Sequence, residues 1–465
     1  MKYSFSFPAH AYALLVILTF SMYGAAQSLI GTVTVGQMPS AIAVNTANGQ
    51  IYVANRGSDD VTIIDGQNFT TNTVSAGDAP AAVAVNPVTN LAYICNSRSN
   101  NVTILDASNT QLSTVDVGDY PIAVAVNTVT NKIYIANFNS DTITEIDGIS
   151  NTQRDFNVGS HPIAIAVDPQ RNEIYSANSG SDDISVIDPA AGTVTTLAAG
   201  NQPRAIVFDQ SANRIYVANY SSNTVSVIDG VTYQVSTIPV GLRPIAIATS
   251  PSSGEVYVAN RGENTASVID KGTLTTKTIS VGDNPRGITF SPLSARAYIA
   301  NASKSGMISA ISEQDYSTSD ITIREGGLWP TAIVANPLTD MVYVADAISN
   351  TLSIIAGGSE NASSQYITLT YADGTCQQNG SSGVIDIYDN RLVEFQEAGG
   401  TGDFQIDFTS CPFSGCSLNS PSGTTINAGV PIGAIGATYY YDNVTIDGHE
   451  CKNVGWLGVR IIKGP

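Results

Sequence analysis

The chain has 465 residues, of which only 13% are charged, and its 39 acidic residues outnumber its 20 basic residues to give a net charge of −19. Such a negative surface repels phosphate backbones, so we exclude nucleic acid as an expected partner. The chain is too long for one ordinary hydrophobic core, and we therefore expect several domains or a repeat architecture.

The first 26 residues have the order of a secretory signal peptide. Lys2 precedes an apolar stretch at 11–20, and small residues at 24–26 come before Gln27. That stretch is about ten residues long, whereas a membrane-spanning helix needs about twenty. We expect a signal peptide over 1–26, no membrane span, and a secreted, periplasmic or cell-surface location.

The body of the chain repeats itself. A proline recurs every 41 residues from Pro39 to Pro285, and once more at Pro330. Each is followed by an apolar run such as AIAV at 41–44, a unit such as YVAN at 52–55, and a run such as VTIID at 61–65. A fourth run precedes each proline, as at 114–117. Short runs rich in Val, Ile, Tyr and Thr between turn residues predict strands, and four strands in such a period predict a propeller blade.

The strand count predicts how the ring closes. The first three strands occur eight times, but no fourth strand follows the last third strand at 352–355. Its counterpart stands at the N-terminus, at 32–35, so we expect that strand to complete the last blade. The sequence predicts an all-β fold in which 28–357 form a closed propeller of eight four-stranded blades. A seven-bladed ring with one displaced repeat is the alternative.

The Tyr-Val-Ala-Asn unit, the Val-Gly-x-x-Pro turn and the Ile-Asp strand end together resemble the YVTN β-propeller repeat. Members of that family are usually seven-bladed and recur in surface-layer and secreted proteins. The resemblance implies a non-enzymatic binding or scaffold protein that uses its propeller as an interaction platform. The last two repeats depart from the pattern, with Ser312 and Ala356 in place of Asp and Asp346 in place of Asn.

Two polar positions recur once per repeat. Asn ends the second strand in seven repeats and Asp ends the third strand in six, beginning with Asn55 and Asp65. Side chains spread around a ring cannot converge on one ion, whereas Asn and Asp readily bond nearby backbone in turns. We interpret both sets, and the acidic hairpins at 58–60 and 181–183, as structural, and we expect no metal and no cofactor.

Candidate binding residues flank the repeat prolines, where the residue type varies from blade to blade. Loops of this kind open on one face of a propeller. The candidates are Tyr120, His161, Arg204, Arg243, Arg286 and Trp329. A basic and aromatic set of this kind suits an acidic ligand, an envelope polysaccharide or an acidic loop of another protein. The alternative is that each arginine bonds a neighbouring carbonyl or aspartate.

An enzymatic function is the alternative to a binding function. Propeller lactonases and lyases place histidine or carboxylate side chains in the central pocket. In the predicted propeller only His161 is available, and no nucleophile motif or histidine pair occurs. We therefore assign no catalytic residue.

Residues 360–465 lack the repeat and carry six or more short strand-like runs, which predict a β-sandwich. The segment loosely resembles cupredoxin-like or immunoglobulin-like modules, but its lone His449 and lack of Met do not fit a copper site. Two disulfides are expected with three pairings open, from Cys376, Cys411, Cys416 and Cys451. Cys95, inside a repeat, is expected to be a buried thiol.

Overall fold

The computed structural model describes residues 27–302, 306–323 and 329–358 with their side chains, and the backbone alone of 15–17 and of nine strands between 368 and 462. The chain divides into two compact units, Ala25–Ser359 and Met1–Gly24 with Glu360–Pro465. The regular structure of the described residues is entirely β. Within those residues, no helix has the length and apolarity that crossing a membrane would require.

The strands are numbered in chain order, and eight antiparallel sheets of four strands form the blades. The first two strands are β1 (Leu15–Ile17) and β2 (Ser28–Thr34). Blade 1 contains β3 (Pro39–Val44), β4 (Ile51–Asn55), β5 (Asp60–Ile64) and β6 (Thr71–Ser75). Blade 2 contains β7 (Pro80–Asn86), β8 (Leu91–Asn96), β9 (Asn101–Leu105) and β10 (Gln111–Asp116). Blade 3 contains β11 (Pro121–Asn127), β12 (Lys132–Asn137), β13 (Thr142–Asp147) and β14 (Gln153–Asn157). Blade 4 contains β15 (Pro162–Asp168), β16 (Glu173–Asn178), β17 (Asp183–Asp188) and β18 (Thr193–Ala198).

The remaining blades follow the same order. Blade 5 contains β19 (Pro203–Asp209), β20 (Arg214–Asn219), β21 (Thr224–Asp229) and β22 (Val235–Pro239). Blade 6 contains β23 (Pro244–Thr249), β24 (Val256–Asn260), β25 (Thr265–Ile269) and β26 (Thr276–Ser280). Blade 7 contains β27 (Pro285–Ser291), β28 (Arg296–Asn301), β29 (Met307–Ser312) and β30 (Thr318–Thr322). Blade 8 contains β31 (Pro330–Ala335), β32 (Met341–Asp346) and β33 (Thr351–Ala356), with β2 as its fourth strand.

The N-terminal strand closes the ring, as the strand count predicts. β2 pairs antiparallel with β33, with Val33 opposite Leu352. The first strand of each blade contacts the first strand of the next, and β31 contacts β3. The eight-bladed prediction is therefore confirmed, and the seven-bladed alternative is wrong for this chain.

The core lies between neighbouring blades. Each second strand buries one tyrosine, from Tyr52 in blade 1 to Tyr343 in blade 8, with at most 1% of its surface exposed. In β3, Ala41 and Ala43 pack toward blade 2, while Ile42 packs toward blade 8. This alternation follows from the two-residue period of a strand, and it joins the blades into one continuous apolar ring.

The second unit is described by its backbone. Its later strands are β34 (Thr368–Ala372), β35 (Thr375–Asn379), β36 (Val384–Tyr388), β37 (Leu392–Ala398), β38 (Phe404–Asp407), β39 (Ser417–Ser420), β40 (Ile426–Gly429), β41 (Thr438–Ile446) and β42 (His449–Ile462). They form a pair β34-β35, a sheet β1-β37-β40 and a five-stranded sheet β36-β42-β41-β38-β39. The predicted disulfides depend on cysteine side chains outside the described residues, so they stay a prediction, as does the sandwich.

Candidate functional site at the mouth of the ring

The proline loops and the hairpins between second and third strands lie on one face of the ring. Each repeat proline begins a first strand and pairs with the residue that ends the second strand, as Pro203 does with Asn219. We call this face the rim. In each blade it includes the residue before the proline, the residue after it, and the residue that follows the second strand.

The rim backbone is fixed by hydrogen bonds between blades. The residue before the proline adopts a positive φ in blades 1 to 7, between 51° and 59°. Its N–H donates to an Asn or Asp Oδ1 in the hairpin of the preceding blade, at 2.8 Å from Ala79 to Asp59 and from His161 to Asp141. The equivalent bond from Met38 to Asn350 crosses the closure point at 2.9 Å. We call these bonds the rim latches, and they exist for all seven residues: Met38, Ala79, Tyr120, His161, Gln202, Arg243 and Asn284.

The repeated Asn and Asp side chains have the structural roles expected of them. Asn55 Nδ2 donates to Asp60 Oδ1 at 2.7 Å and to Thr62 Oγ1 at 2.8 Å, bracing the hairpin between β4 and β5. Asp65 Oδ1 accepts the backbone N–H of Gln67 at 2.8 Å, which is an Asx turn. The acidic hairpins supply latches through Asp59 and its equivalents. Among the described residues, no group of three or more His, Cys, Asp or Glu side chains could hold a metal ion.

Blades 5, 6 and 7 bring four arginines to the rim. The Arg286 guanidinium lies 3.9 Å from the centre of the Trp329 ring, and that of Arg204 lies 5.7 Å from the centre of the Tyr220 ring. Arg261 Nε donates to Asn284 Oδ1 at 2.8 Å, and Arg243 is exposed. The structure thus brings two of the predicted site residues, Arg286 and Trp329, into contact.

These arginines have no carboxylate partner among the described residues. The ion pairs found there join Lys132 and Arg154 to acidic side chains within blade 3. The Nε–H groups of Arg204 and Arg286 are buried and donate a hydrogen bond to no partner among the described residues. Burial, and then the charge of Arg261, lower the pKa of Arg286. A cation under these conditions gains from an added anion.

Blades 3 and 4 bring aromatic side chains to the rim instead. Phe138 stacks on His161, with ring centres 4.5 Å apart and planes at 12°, and meets Tyr120 at 6.2 Å and 59°. Gly180 leaves room for this stack, because a Cβ there would lie 2.5 Å from His161 Nδ1. Arg56 of blade 1 donates to Tyr120 Oη at 2.7 Å. The His161 backbone N–H donates to Asp141 Oδ1 and its carbonyl oxygen accepts from Ser179 Oγ, while no carboxylate among the described residues bonds the His161 side chain.

Four rim residues escaped the sequence prediction: Arg56, Phe138, Tyr220 and Arg261. Each directly follows the Asn that ends a second strand. The position varies between blades as the residues beside the proline do, and the pairing of proline with Asn places both on one face. Variation immediately after the Tyr-Val-Ala-Asn unit was therefore the signal that could have found them.

A family model described as "Lactonase, 7-bladed beta-propeller" matches residues 5–126 and 118–232, which is just under half of the chain. The match supports a β-propeller family. This propeller has eight blades, one more than that description gives. No curated protein matches the sequence.

Two solved structures show how far the likeness extends. Hydrazine synthase of Kuenenia stuttgartiensis is 19% identical, with a TM-score of 0.49, and the alignment covers 62% of this chain and 97% of that chain. A chain of a crystal structure of the mitotic checkpoint complex is 12% identical, with a TM-score of 0.50, over 71% of this chain and 91% of that chain. The second likeness concerns the fold alone.

Proposed function

We propose that this propeller is an extracellular or cell-envelope recognition protein that binds a carboxylate-bearing ligand at the arginines of the rim. One observation carries the proposal: Arg204, Arg243, Arg261 and Arg286 meet no carboxylate among the described residues of a protein with net charge −19. Leaving positive charges together and partly buried is costly unless an anion joins them. A guanidinium presents paired N–H donors in a rigid fork that matches the two oxygens of a carboxylate.

The test is titration calorimetry of the purified protein with an acidic oligosaccharide and with its uncharged counterpart. We expect binding of the acidic probe only, and at least tenfold weaker binding by the double variant Arg204→Ala/Arg286→Ala. That loss corresponds to about 1.5–3 kcal/mol for each hydrogen bond to a charged group. The matched control is Arg171→Ala/Lys271→Ala, which removes the same charge from hairpins on the opposite face. Equal weakening by both variants, or no binding at all, would contradict the proposal.

A lactonase-like hydrolase is the second candidate, because the family model that matches residues 5–232 describes lactonases. In that case the rim arginines would hold the carboxylate of the hydroxy acid that lactone hydrolysis releases, and His161 would transfer protons in the reaction. A panel of lactones assayed by acid release tests it. Turnover by the native protein that His161→Gln abolishes would favour the enzyme, whereas absence of turnover alongside tight binding of acidic sugars would reject it.

A further inference from the structure

The two halves of the rim differ in chemistry. The four arginines without carboxylate partners belong to blades 5, 6 and 7, whereas blades 3 and 4 present Tyr120, Phe138 and His161. In the basic half, the aromatic rings are already covered on one side, Tyr220 by Arg204 and Trp329 by Arg286. In the aromatic half, the rings contact one another rather than guanidinium groups.

The aromatic half keeps ring surface available for an apolar contact. Phe138 is half-buried and His161 is exposed, while Ile122 and Ile163 lie half-buried beside them. Arg56 is the cation described there, and its guanidinium bonds the Tyr120 hydroxyl. Contacts with aromatic faces in such a place add about 0.5–1.5 kcal/mol beyond buried area.

The inner wall offers hydrogen bonds to hydroxyl groups. In every blade the first strand is the terminal strand of its sheet, so one of its edges has no strand partner. Edge strands present free backbone N–H and C=O groups. Some of these backbone groups already form hydrogen bonds between blades. For example, the Pro80 carbonyl oxygen accepts from Ser40 Oγ at 2.7 Å. The others suit a ligand with many hydroxyl groups.

We infer that the ligand is a mixed acidic saccharide, with a carboxylate held in blades 5–7 and an uncharged sugar ring packed on the aromatic side chains of blades 3–4. This inference rests on the proposed function and adds an orientation and a composition to it. The apolar C–H face of a pyranose would cover the exposed ring of His161, which Phe138 supports from its other face, while the hydroxyls of the sugar face the strand edges. A chain made only of uronates would place a second carboxylate near Asp119 and Asp141, which lie beside Tyr120 and His161, and would bind less well.

The test compares three disaccharides by titration calorimetry: one uronate joined to one neutral sugar, two uronates, and two neutral sugars. We expect the mixed probe to bind most tightly. Phe138→Leu should weaken the mixed probe about two- to tenfold, which is the aromatic contribution converted to a ratio. Phe69→Leu, the same change at a half-buried position on the opposite face, is the control and should leave affinity unchanged.

Three results overturn the inference. If the acidic probes bind and Arg286→Gln weakens them, but Phe138→Leu binds the mixed probe as tightly as the native protein, then the orientation is wrong and the proposed function stands. If the two-uronate probe binds more tightly than the mixed probe, then the composition is wrong. If no probe binds to the folded protein, then the inference and the proposed function fall together.

Discussion

At the scale of residues, the clearest chemistry outside the rim belongs to the tyrosines buried between blades. Burial, the largest cause, raises the pKa of Tyr52, Tyr93 and Tyr343 to about 12, from 10.0 for a free phenol. The charges of Asp106 and Asp147 add to the effect at Tyr52 and Tyr93. The folded protein therefore keeps these phenols neutral at pH values where an unfolded chain would ionise them.

The tyrosines predict an alkaline limit to stability. Because their folded pKa is raised, their contribution is fully present below pH 10 and is lost as pH rises from 10 through about 12. We expect the tyrosinate absorbance to increase and the β-sheet circular dichroism signal to decrease over the same pH window. Full ionisation of all tyrosines with an intact sheet spectrum would show that the phenols are not held neutral.

The single described free cysteine also behaves as the sequence predicts. Cys95 is fully buried, and burial raises the pKa of its thiol. Its Sγ lies 3.9 Å from the Ala123 carbonyl oxygen of the next blade. A thiol in this setting packs as a small apolar side chain and does not react.

At the scale of elements, the hairpin between second and third strands is both a turn and a joint between blades. Asp59 adopts a φ of 56°, which Asp and Asn tolerate better than most residues, and its Oδ1 accepts the Ala79 N–H. Asp59 thus both adopts the backbone conformation that the turn requires and bonds the neighbouring blade.

The rim latch predicts a graded response to substitution. Asp59→Asn keeps the acceptor and the tolerated conformation, so its melting temperature should match that of the native protein. Asp59→Ala loses the hydrogen bond and places a Cβ in an unfavourable conformation, and we expect about 2 kcal/mol of destabilisation in urea unfolding. Asp59→Gly, which restores conformational freedom but not the bond, should fall between them. Equal stability of all three would show that the latch contributes nothing.

Much of the fold was predictable from the sequence because the same pattern of strands and turns recurs eight times. The period of the repeat indicated the length of one four-stranded blade. The third strand at 352–355 lacked a following fourth strand, and 32–35 was the segment that could supply it. The rim was only partly predictable. Contacts such as Arg286 with Trp329, or Arg56 with Tyr120, join residues of different blades. They depend on side-chain directions that a one-dimensional pattern does not contain.

At the scale of the whole molecule, closure depends on one strand. β2 is held by its ladder with β33, and Val33 and Val35 pack with Tyr343 and Leu352 of blade 8. β2 thus covers the edge of β33 and gives blade 8 the four strands that the other blades have.

Deleting residues 28–34 should therefore destabilise the whole propeller. The loss includes about four ladder hydrogen bonds at about 1 kcal/mol each, together with the apolar contacts of the strand. We expect calorimetry to give a melting temperature well below that of a control lacking only residues 1–26. Coincident melting curves would show that the first blade and the last are joined by other contacts.

The rim latches have a practical consequence for protein engineering. Each uses only the backbone N–H of the residue before a repeat proline, and the seven latched positions already carry seven different residue types, from Ala79 to Arg243. The side chains there contribute little to holding the ring together. A library randomised at the latched positions other than the buried Ala79 would vary the binding surface while leaving the fold intact, so the propeller is a natural starting scaffold for selecting new binders.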